Sequence, residues 1–284
     1  MTEEWAKFFT TNDNVRMHYL TAGDGPPIVL IPGFRQSAAE FLKQIDDFRS
    51  DHRVIAMDLR GHGLSENTDH GYRVARLAAD LRDLLEQLDL HDVSVVAHSL
   101  GVTVAWAYWD LFAGDRIGRL VLVDQAPIAA SDAAPPGRAE ELGAIFSRDM
   151  ARGIREGLRG PDPVAAWQPV LNMMHTLEMS AKDLDWIADE NALLLPEHTV
   201  TLFNDHYGND WRDVPRRITV PTLVLGGAGS FFSPTVAQWL AAEIPSAELR
   251  IFTSEEKGSH LMFWENAPLF NSVVREFLEK NPVA

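Results

Sequence analysis

Short apolar runs alternate along the chain with longer stretches in which apolar residues recur every three or four positions. Val15 to Leu20, Ile28 to Ile31, Val54 to Met57, Val93 to Ala97 and Leu120 to Val123 read as strands. The last four are almost unbroken in apolar character, as strands are when crossover helices cover both faces, so a parallel sheet is expected. Val74 to Leu88 carries Leu77, Leu81, Leu84, Leu85 and Leu88 at helical spacing and is predicted as such a crossover. The order predicts an α/β fold with a doubly wound, mostly parallel sheet.

After Val123 the alternation stops, and residues 125–216 carry helix signals without a buried strand. Ser131 to Gly137 is rich in chain breakers and reads as a linker. Leu142, Ile145, Phe146, Met150, Ile154 and Leu158 then predict one amphipathic helix ended by Gly160-Pro161. Further helices are expected over Val164 to Met179, broken or kinked at Pro169, over Ala181 to Leu193 and over His198 to His206. The α/β pattern resumes with strand Thr222 to Leu225, helix Pro234 to Ala242, strand Glu248 to Phe252 and helix Ala267 to Glu279. The expected organisation is a core of residues 1–124 and 217–284 interrupted by a helical cap over 125–216.

Composition narrows the chemistry. The chain has 284 residues, 46% of them apolar, enough for a large buried core. Its formal charge of −16 disfavours nucleic acid and anionic membrane surfaces as partners. There is no cysteine, which excludes disulfides, thiolate nucleophiles and thiolate-held metals. The acidic start does not read as a targeting peptide and no apolar run is long enough to span a bilayer, so a cytoplasmic location is expected. No His, Asp and Glu grouping has metal-ligand spacing, and Gly226-Gly227-Ala228-Gly229 lacks the Lys-Ser/Thr that a phosphate loop needs.

The strand Val93 to Ala97 runs through Ala97-His98-Ser99-Leu100-Gly101 into a helical pattern. Small residues two before and two after a serine permit a sharp strand-to-helix turn that exposes the hydroxyl, so Ser99 is read as a nucleophile rather than a simple helix cap. A serine hydroxyl needs a base, and His260 lies between the last strand and last helix, where a loop at the carboxyl edge of the sheet can bring it over Ser99. His98 is expected to point away, and the remaining histidines considered, His62 and His206 among them, are read as surface or capping residues. The base needs an acid. The loop after Leu225 holds none, whereas Asp124 directly follows the strand Leu120 to Val123 on the same sheet edge as Ser99. Backbone amides of Leu100 and of Phe34, in the turn Pro32-Gly33-Phe34, are the expected oxyanion donors.

With these residues in place, the sequence resembles a capped α/β-hydrolase over essentially its whole length. The matching landmarks are Pro32-Gly33-Phe34, Asp58 to Ser65, Ala97 to Gly101, Pro221 to Gly226, Ser259-His260 and Phe263 to Glu265. Two positions depart from the family pattern: Pro32 precedes Gly33 where His is common, and the usual Asp after the seventh strand is missing. The resemblance implies that the acid follows the sixth strand, as in haloalkane dehalogenases and cofactor-free ring-cleaving dioxygenases. The first of these need an Asp nucleophile where this chain has Ser99. Inserted helices in the family form a lid, which here would offer Trp167, Met173, Met174, Trp186, Phe203 and Tyr207 as pocket residues.

The function expected from the sequence is a cofactor-free serine hydrolase of a small to medium, largely apolar carboxylic ester or lactone. Non-haem haloperoxidases resemble this type, peroxide replacing water. A second reading is cofactor-independent oxygenolysis of an N-heteroaromatic ring, against which stands Gln36 where such enzymes carry histidine. A third is a non-catalytic small-molecule receptor on the same fold. The expected partner is a small-molecule substrate, and the oligomeric state is not legible.

Overall fold

The structure, a computed structural model, describes residues 2–283. Its eight strands form one sheet: β1 Ala6–Thr10, β2 Arg16–Ala22, β3 Pro27–Ile31, β4 Arg53–Met57, β5 Val93–His98, β6 Ile117–Val123, β7 Thr222–Gly227 and β8 Ala247–Phe252. The order across the sheet is β1-β2-β4-β3-β5-β6-β7-β8. The β1 and β2 strands are antiparallel to their neighbours, and every pairing from β4 through β8 is parallel. Every residue of β5 is buried, as a central strand covered on both faces requires. Each Val, Leu or Ile removed from water there contributes about 1.5–3 kcal/mol.

The helices are α1 Thr2–Trp5, α2 Leu42–Phe48, α3 Val74–Gln87, α4 Leu100–Phe112, α5 Arg148–Leu158, α6 Pro163–Asn172, α7 Ala181–Asn191, α8 Pro196–Gly208, α9 Pro234–Glu243, α10 Met262–Glu265 and α11 Ala267–Lys280. The predicted face of α3 buries Leu77, Leu81, Leu84 and Leu85. The segments α5 to α8 all lie between β6 and β7. Among the described residues, no helix is long and apolar enough to cross a membrane.

Three local expectations are corrected. The helix expected from Leu142 begins only at Arg148, where the Ser147 hydroxyl accepts from the Met150 amide. Upstream, Gly143 has φ +65°, and Phe146 instead donates its amide to Ala129 and bridges Ala130, so helical spacing there reflects burial without a helix. Of the break or kink expected at Pro169, the break does not occur, since α6 runs through it, and the helix ends at Asn172, short of the expected Met179. The strand β1 went unpredicted because it is an edge strand with Lys7 and Phe8 exposed, stabilised by Arg16 lying 3.3 Å over the Phe8 ring.

Candidate active site

The turn from β5 into α4 forces Ser99 to φ 51° and ψ −122°, a strained conformation that lifts its side chain clear of the sheet edge. Gly101 is required here, since a Cβ on it would stand 2.4 Å from the Ile31 carbonyl oxygen. Leu100 opens α4, so its amide has no acceptor within the helix and remains available above Ser99. The loop after β3 lies directly against Ser99: a Cβ on Gly33 would fall 3.0 Å from Ser99 Cβ. Gln36 ties this loop, accepting from the Gly33 amide at 2.6 Å through Oε1 while its own amide donates to the Gly33 carbonyl at 3.2 Å. Both bonds bypass the Phe34 amide.

At the end of β6 the chain turns with Asp124 at φ 49°, its amide donating to the Leu225 carbonyl at 2.9 Å. This turn presents Asp124 Oδ2 2.6 Å from His260 Nδ1. A carboxylate acceptor at that distance places the imidazole proton on Nδ1 and leaves the lone pair on Nε2. His260 Nε2 is buried with no hydrogen-bond partner among the described residues, and His260 and Ser99 line one cavity. Ser230, in the acid-free loop after β7, donates to Asp124 Oδ2 at 2.5 Å and accepts from the Phe232 amide at 3.1 Å. Sequence reasoning treated this loop as empty; its contribution is a hydroxyl that steadies the carboxylate. His98 points away from the cavity, its Nε2 2.9 Å from the His260 carbonyl oxygen and its Nδ1 2.7 Å from Gln36 Oε1. It braces the backbone that carries His260.

The cavity between the sheet edge and the inserted helices has a volume of about 50 Å³. Trp167, Met174 and Phe203 stand on its wall, and Phe34 adds its ring beside them. Three other expected pocket residues stand elsewhere. Met173 follows the end of α6 one position before Met174 and turns to solvent. Trp186 stacks on Trp264 at 4.8 Å and lines a separate cavity of about 280 Å³ with His18, Asp58 and Glu190, on whose wall neither Ser99 nor His260 stands. Tyr207 lies behind Phe203, its ring centroid 6.2 Å away and its hydroxyl donating to Asp132 at 3.3 Å.

Among the residues that sequence reasoning missed on this wall are Gln125, His206, Phe231 and Phe232. The Phe231-Phe232 pair was a signal, being two large apolar residues in a loop at the carboxyl edge. His206 is corrected from a surface residue to a cavity residue, where burial lowers its pKa to about 4. His62 is likewise corrected: it is completely buried, with Nδ1 2.9 Å from the Arg60 carbonyl oxygen, and burial lowers its pKa to about 4. Asp58 organises the neighbouring loop, accepting from the Ala38 and Leu64 amides at 2.6 and 2.8 Å and lying 2.7 Å from His18 Nδ1.

Known proteins agree with this architecture. Residues 26–160 match the family described as alpha/beta hydrolase fold. A non-heme chloroperoxidase, CPO-A1 of Kitasatospora aureofaciens, is 29% identical over 289 residues, covering 95% of this chain and 98% of that protein. A soluble epoxide hydrolase of Corynebacterium sp. (strain C12) is 38% identical over 133 residues, which is 46% of each chain. The solved esterase EaEST of Exiguobacterium antarcticum superposes with a TM-score of 0.87 at 21% identity, covering 96% of this chain and 99% of that one. With the parallel sheet, the strained Ser99 turn and these matches together, the chain has the α/β-hydrolase fold.

Proposed function

We propose that the protein is a serine hydrolase that cleaves a small, largely apolar carboxylic ester or lactone through an acyl-enzyme. The observation that carries the reading is the 2.6 Å contact between Asp124 Oδ2 and His260 Nδ1, with Nε2 free in the cavity that Ser99 also lines. His260 Nε2 takes the Ser99 proton as Oγ attacks the substrate carbonyl. The amides of Phe34 and Leu100 hold the resulting oxyanion, and Asp124 stabilises the imidazolium. Collapse of the tetrahedral adduct breaks the bond to the alcohol, which leaves with the proton from His260. Water then gives a proton to His260 and attacks the acyl-enzyme, releasing the acid and restoring Ser99.

Epoxide opening is less well supported by this site. Attack by a serine oxygen on an epoxide yields an ether, which has no carbonyl for water to attack, and no carboxylate among the described residues lines the cavity. The cavity of about 50 Å³ favours a short acyl group, since each water-sized group takes up at least about 10–15 Å³ by this measure.

The test is turnover of p-nitrophenyl esters of graded chain length together with labelling by a fluorophosphonate. The reading predicts hydrolysis of the shorter esters and an adduct on the peptide containing Ser99, both lost in Ser99→Ala. Labelling that persists in Ser99→Ala contradicts it.

A further inference from the structure

The walls of the Ser99 cavity are overwhelmingly aromatic and aliphatic, yet two polar side chains outside the proposed triad enter it. Gln125 is 5% exposed, and its Oε1 accepts from the Ala126 amide at 2.9 Å. That bond fixes the orientation of the amide, because an N–H can be met only by the oxygen end. The Nε2 group of Gln125 is therefore a donor, and it is buried with no partner among the described residues. His206 Nδ1 is buried without a partner in the same way. Burial lowers the pKa of this ring to about 4, which leaves it neutral near pH 7.

A buried polar group without a partner is destabilising, and an apolar wall would hold an alkyl chain equally well without it. Two such groups sharing a cavity with Ser99 are explained if a polar atom of the substrate meets them. The acyl group is the part that stays bonded to Ser99 while the alcohol leaves, so it is the part the cavity beside Ser99 must accommodate.

We infer that Gln125 Nε2 and His206 Nδ1 form a polar subsite that selects short acyl groups bearing an ether, hydroxyl or carbonyl oxygen along the chain. This inference rests on the ester-hydrolase reading and narrows its substrate class. Gln125 donates to that oxygen. A neutral His206 meets the same oxygen, donating from Nδ1 to an ether or carbonyl or accepting from a hydroxyl.

The test pairs p-nitrophenyl methoxyacetate with butanoate, and 3-methoxypropanoate with pentanoate, each pair differing by oxygen against methylene. The kcat/KM ratio within a pair is measured for the wild type, Gln125→Leu and His206→Leu, so that intrinsic ester reactivity cancels between proteins. The expected result is a fall of about 10- to 100-fold in the oxygen-to-methylene ratio in at least one variant for at least one pair. A second measurement uses Ser99→Ala, which should bind the favoured methoxy acyl group, presented as its primary amide, about tenfold more tightly than the alkyl isostere. Ratios unchanged in both variants, or equal binding of the isosteres, overturn the inference while leaving ester hydrolysis intact. Failure of the wild type to cleave any of the four esters or to take a fluorophosphonate overturns the underlying reading, and the subsite with it.

Discussion

The histidines divide by what surrounds the ring, and sequence position alone does not reveal that. His260 has a carboxylate at 2.6 Å and an open second nitrogen, whereas His62 has only a backbone carbonyl and complete burial. Burial lowers the His62 pKa to about 4, against about 6.5 in an unfolded chain. The unfolded chain therefore binds the proton first as pH falls. His62 costs the fold nothing above pH 6.5 and withdraws stability progressively between about 6.5 and 4, on the order of 3 kcal/mol in all. His62→Gln removes this titration. Urea unfolding should show the wild type losing its advantage over His62→Gln as pH falls from 7 to 4.5; a gap that stays constant would contradict the assignment. Ser99 was legible because a strand, two small residues and a helix frame it, and Asp124 because it ends a buried strand. Gln125 and His206 carry no such local signal, since what marks them is a buried polar atom left without a partner in three dimensions.

At the scale of elements, the loop after β7 is the informative one. It contains no acid, and it still reaches the Asp124 carboxylate through Ser230 Oγ at 2.5 Å. Two loops, after β6 and after β7, thus converge on one side of the His260 ring, and either could present a carboxylate to it. Ser230→Asp placed in an Asp124→Asn background should recover at least about tenfold of the lost kcat/KM on a short p-nitrophenyl ester. No recovery in a folded double variant would show that residue 230 cannot reach Nδ1. The buried parallel strands were readable as apolar runs, because water is absent from both faces. The start of α5 was not, because Leu142 is buried and Phe146 half-buried by tertiary packing in an irregular segment whose spacing imitates a helix. Pocket membership in the inserted helices was only half readable: Met173 and Met174 are adjacent in sequence and face opposite environments.

Across the whole molecule, residues 99, 124 and 260 come from β5, β6 and the loop beyond β8, and only the parallel order of those strands brings their carboxyl ends to one rim. The central claim is that Asp124 holds His260 in the tautomer that lets it take a proton from Ser99. The most direct measurement is kcat for a short p-nitrophenyl ester in Asp124→Asn, with the urea midpoint recorded to establish folding. An amide at 124 can offer its N–H to Nδ1 and so favour the wrong tautomer. The account predicts a fall of about three to four orders of magnitude in a protein that remains folded. Turnover within about threefold of wild type, alongside loss of activity in His260→Ala, would contradict it.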